Sequence, residues 1–127
     1  MCPQVSPDWS ALQRIALAEV ESTLSALPEP LREPACKLPV TFERVPNAAH
    51  RADGILDDTL GLFVGPEFAD EGQIPQPPQI ILFLDNILAL AEGDLDVFRE
   101  EVRVTLLHEL GHYLGLDEDG LTERGLE

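Results

Sequence analysis

The 127-residue chain is short of cations: eight Lys and Arg stand against 24 Asp and Glu, for a formal net charge of −16. Such a surface repels nucleic acid and anionic lipid, so a general polyanion-binding role is disfavoured. Long apolar runs are missing too. Ile80 to Leu84 and Ile87 to Ala91, about five residues each, are far short of a membrane span. Met1-Cys2-Pro3-Gln4 has neither a basic nor an apolar leader region, so no signal peptide is expected and the chain reads as cytoplasmic. Two cysteines, Cys2 and Cys36, are too few for a disulfide scaffold and read as bystander thiols.

What is present fits one soluble domain spanning residues 1–127. Apolar residues make up 44% of the chain, too many for a disordered protein. Proline clusters at Pro28, Pro30, Pro34 and Pro39, and again at Pro75, Pro77 and Pro78. Both clusters read as loops, because proline fixes φ and removes a donor. Between Asp8 and Leu27, apolar residues recur at helical spacing behind an Asp N-cap. Val40 to Val45, Leu60 to Val64 and Gln79 to Leu84 read as strands, the last buried on both faces. Asn86 to Glu92 reads as a short helix ended by Gly93. Asp94 then caps a long helix from about Leu95 to Leu114, with Gly115 placed at its C-terminal turn. Leu95, Val102, Leu106, Leu110 and Tyr113 share one side of that helix, and Val104, Leu107 and Leu114 widen its apolar coverage. The pattern is α+β: a small mixed sheet packed on helices.

The long, buried helix carries His108-Glu109-Leu110-Gly111-His112, an H-E-x-x-H motif. At about 100° per residue, the two histidines lie about 40° apart round the axis, one turn from each other. Both imidazoles can therefore converge on one metal ion, with zinc the expected cofactor. Glu109 lies about 60° from His112, so it flanks the site and is free to act as a base on water. A catalytic zinc needs a third ligand. Fifteen residues follow His112, which leaves little room for a ligand from a later helix. Gly115 and Glu118 instead complete an H-E-x-x-H-x-x-G-x-x-E pattern, in which a carboxylate replaces the last histidine of the metzincin motif. Glu118 ranks first by register, then Asp119, with Asp117 as the remaining neighbour.

The segment Thr105 to Thr122 resembles the C-terminal signature of the minimal zincin-like metallopeptidases, small bacterial proteins similar to metzincins. Leu60-Gly-Leu-Phe-Val-Gly65 and Gln79-Ile-Ile-Leu-Phe-Leu84 resemble strands of that family more loosely. The resemblance implies a minimal zincin-like fold with His108 and His112 as ligands, Glu109 as the base and Glu118 at the acidic third-ligand position. Metzincins also carry a methionine turn below the metal; here the one methionine is Met1. The resemblance therefore supports the metal site more strongly than it supports efficient proteolysis.

Other residues bear on the site. The strand from Leu60 to Val64 is the candidate edge for an extended peptide or protein substrate, through Leu62, Phe63 and Val64, with glycines at 61 and 65 allowing close approach. Thr105 lies one turn before Glu109. Tyr113 faces the core, His50 lies in a surface loop from Asn47 to Asp53, and Arg99 and Arg103 pair with local acids. The expected function is zinc-dependent peptide hydrolysis. Its rival is a non-catalytic metal-binding or protein-interaction module, which the presence of a base disfavours. Zinc-dependent RNA cleavage is disfavoured by the charge. Glu118→Ala is expected to weaken zinc affinity more than Asp117→Ala does, as measured by competition with a chelator; the reverse order moves the third ligand.

Overall fold

The computed structural model describes residues 8–65 and 78–114. Its first helix, α1 (Trp9–Ser25), starts where the Asp8 carboxylate accepts the Ala11 N–H at 2.7 Å. Leu12, Ala16, Val20 and Thr23 form its buried stripe and, with Leu27 beyond its end, bring it against the long helix α5 (Leu95–Leu114). Cys36 is exposed and free; Cys2 lies outside the described residues.

The first proline cluster is not all loop. Glu29–Cys36 forms a second helix, α2. Pro30 sits in its first turn, where a missing N–H costs nothing, and Pro34 is tolerated inside it. Leu31 and Ala35, one turn apart, bury the inner face, and the Arg32 guanidinium donates twice to the Leu27 carbonyl. A short helix α3 (Ala48–Ala52) likewise replaces the loop expected around His50. Asn47 Oδ1 accepts the His50 N–H at 2.9 Å, and His50 Nδ1 accepts the Asn47 N–H at 3.2 Å. This reciprocal cap satisfies two otherwise orphaned donors.

The strands β1 (Val40–Glu43), β2 (Gly61–Val64) and β3 (Gln79–Phe83) form a sheet of order β1-β3-β2. β3 is central, parallel to β1 and antiparallel to β2. Its apolar run is buried as the sequence implies, with Ile80, Leu82 and Phe83 at 0% exposure. β3 passes directly into α4 (Leu84–Leu90), which starts two residues before the expected Asn86. The Asn86 side chain instead donates to the carbonyls of Asp57 and Thr59, at 2.7 and 2.9 Å, and pins the chain just before β2. Glu92 and Gly93 turn the chain with φ of 55° and 80°. Asp94 Oδ1 then accepts the N–H groups of Asp96 and Val97 and caps α5.

The core lies between the sheet and α1, α4 and α5, so the architecture is α+β. Between Thr105 and Tyr113, α5 buries every residue except His108 and His112. Val104, expected to extend the apolar coverage, is 40% exposed. Gly115 lies outside the described residues. Phe98 is fully buried, so Phe98→Ala is expected to destabilise the fold by about 3–5 kcal/mol, read from urea unfolding.

Candidate metal centre

The two breaks in the buried half of α5 are the two histidines. His108 and His112 are 48% and 54% exposed at their side chains. One helical turn brings their ring centroids to 4.8 Å, with the ring planes inclined at 57°. The Glu109 carboxylate stands between them and is only 9% exposed; Oε2 is 3.9 Å from His108 Nε2, and Oε1 is 3.9 Å from His112 Nδ1. Both distances exceed a hydrogen bond, so the carboxylate faces the imidazoles without being locked to either. One donor atom from each of the three residues falls within a 4.8 Å cluster that can hold a metal ion.

The donor chemistry fits zinc. Imidazole nitrogen and carboxylate oxygen are both zinc donors. Among the described residues, no Lys or Arg pairs with Glu109. Glu118, Asp119 and Asp117, the candidates for the third ligand, lie outside the described residues.

One wall of the centre comes from β2, which packs on α5. Phe63 meets Tyr113 with ring centroids 5.6 Å apart, so Tyr113, 2% exposed, belongs to the core side as its position on the helix implies. Gly61 sits over Thr105 and Glu109: a Cβ placed on it would lie 2.7 Å from Thr105 Cγ2 and 3.4 Å from Glu109 Cγ. Thr105 is therefore part of this wall.

The register of β2 decides which backbone groups face outward. The Phe83 N–H donates to the Leu60 carbonyl at 2.9 Å, and Gly61 stands opposite Leu82. In an antiparallel ladder, alternate residues turn both polar groups to the partner strand. Leu60, Leu62 and Val64 thus face β3. Gly61 and Phe63 present their N–H and C=O to the opposite edge, which pairs with no strand among the described residues. Of the three edge positions expected from sequence, Phe63 offers its backbone to this edge and Leu62 and Val64 offer theirs to β3. Gly61 was legible only as a residue permitting close approach, because its partners lie far along the chain.

Residues expected elsewhere are elsewhere. His50 packs edge-on against Phe83 at 5.5 Å and spends Nδ1 on its helix cap. Arg99 pairs with Asp96 at 2.9 Å, and Arg103 pairs with Glu100. The Arg103 guanidinium, by its hydrogen bond and its charge, holds the Glu100 carboxyl below the usual carboxylate range.

Residues 36–126 match the zincin-like metallopeptidase family. A comparison with curated proteins found no match. Purified protein is expected to carry about one zinc per chain by elemental analysis, and His112→Ala to abolish it. Metal-free protein that cannot be loaded would contradict the site.

Proposed function

We propose that this chain, which belongs to the zincin-like metallopeptidase family, is a zinc-dependent hydrolase of peptide bonds. His108, His112 and Glu118 hold the metal in this reading, and Glu109 is the general base. One observation carries it: two exposed imidazoles converge beside a buried carboxylate that lies beyond hydrogen-bond reach of both. A purely structural site needs ligands but has no use for such a base.

When bound, zinc supplies Lewis-acid polarisation of the scissile carbonyl and makes a water at the site easier to deprotonate. Glu109 takes the proton from the attacking water as its oxygen joins the carbonyl carbon. The carboxylic acid so formed gives that proton to the leaving nitrogen as the C–N bond breaks, which restores the carboxylate and yields an acid and an amine. Burial suits Glu109 to this task, because little water competes for its oxygens.

The substrate is a peptide or protein in extended form, added along the edge of β2 through the backbone groups of Gly61 and Phe63. The net charge of −16 weighs against a nucleic-acid substrate.

Glu109→Gln removes the base and keeps the shape. It is expected to retain zinc and to lose cleavage of a peptide library by at least about 100-fold. A Gln variant as active as wild type would sink the mechanism. Wild-type protein that holds zinc and cleaves nothing in the library would favour the metal-binding module.

A further inference from the structure

Glu109 reaches its position through a contact that a glycine makes possible. Gly61 is not among the residues of positive φ, so its backbone would accept other residues. The constraint is space. A Cβ there would meet Thr105 Cγ2 at 2.7 Å, Leu82 Cδ2 at 3.2 Å and Glu109 Cγ at 3.4 Å. The first distance is well inside carbon–carbon contact. Thr105 is buried and β-branched, so its methyl has few rotamers to retreat into. Leu82 is fully buried between the sheet's neighbours. Glu109, whose stem is the third contact, is the member of the trio that borders an exposed pair of side chains.

Taking Glu109 as the base, we propose that Gly61 is a positioning residue for it. Having no side chain, Gly61 lets the β2 backbone rest directly on the Thr105 methyl and the Glu109 stem. That seat sets the distance between the carboxylate and the outward N–H and C=O of Gly61. The base and the peptide-docking edge are thereby held in register by one backbone contact. Alanine at position 61 keeps both backbone groups for docking but drives its Cβ into Thr105 Cγ2, while Glu109 Cγ stays at ordinary contact distance. Relieving that clash shifts β2 against α5, so the spacing between the edge and the base changes.

The test uses Gly61→Ala, Thr105→Ser and the double variant, since serine removes the methyl that the new Cβ would strike. The probe is a fluorogenic peptide taken from those that wild type cleaves in the library. Gly61→Ala is expected to keep about one zinc per chain, to hold KM within about twofold and to lower kcat roughly 10- to 100-fold. The double variant is expected to recover most of that loss. In metal-free protein, the urea midpoint is expected to fall with Gly61→Ala and to rise again in the double variant, a coupling between the two positions. Thr105→Ile adds bulk to the same seat from the helix side and is expected to lower kcat likewise. Two results would overturn the proposal alone: full kcat in Gly61→Ala, whatever its KM, or no recovery of kcat in the double variant. Glu109→Gln with wild-type activity would overturn the reading of the base and this proposal with it.

Discussion

The Glu109 carboxylate is buried, and among the described residues it has two imidazoles beside it and no Lys or Arg. The surrounding fold keeps that carboxylate from solvent. Leu106 and Leu110 are buried on the same helix, β2 covers the carboxylate stem at Gly61, and α1 packs on α5. A cation held by His108 and His112 would give the buried carboxylate a positive partner. Metal affinity and folding stability would then be linked.

Much of this was legible along the chain, and the reason is periodicity. The H-E-x-x-H spacing matches one helical turn, so it places both histidines on one side of α5 without tertiary information. The run from Ile80 to Leu84 is too apolar for an edge strand, and β3 is indeed central. The α2 helix was hidden because its prolines outweigh the weaker signal of Leu31 and Ala35, whose burial pays off only against the rest of the core. The α3 helix was hidden because its reciprocal cap uses Asn47 and His50 where Ser or Thr with Glu is the usual pair. Gly61 illustrates a deeper limit. Its significance is a distance to Thr105 and Glu109, more than 40 residues away, and no local pattern encodes a distance.

The scarcity of cations acquires a local meaning in the structure. Lys37, Arg44, Arg51, Arg99 and Arg103 each pair with a nearby Asp or Glu, four of them with more than two-fifths of the side chain exposed. Exposed pairs of this kind contribute little to stability. Their effect on the outer field is plainer: most of the few positive charges are already matched, so the excess of acid stays uncompensated at the surface.

The length of α5 bears on the centre in one more way. Its 20 residues align their peptide dipoles, and the motif occupies its final turns. The C-terminal end of such a helix carries roughly half a negative charge, strongest over its last turn, where His112 lies. The backbone itself therefore makes this end of the molecule cation-seeking, before any side chain is counted. Moved to the opposite end of the same helix, the motif would face a positive pole that repels a dication. The chain places His112, the C-terminal histidine of the motif, in the turn where the main chain favours a cation.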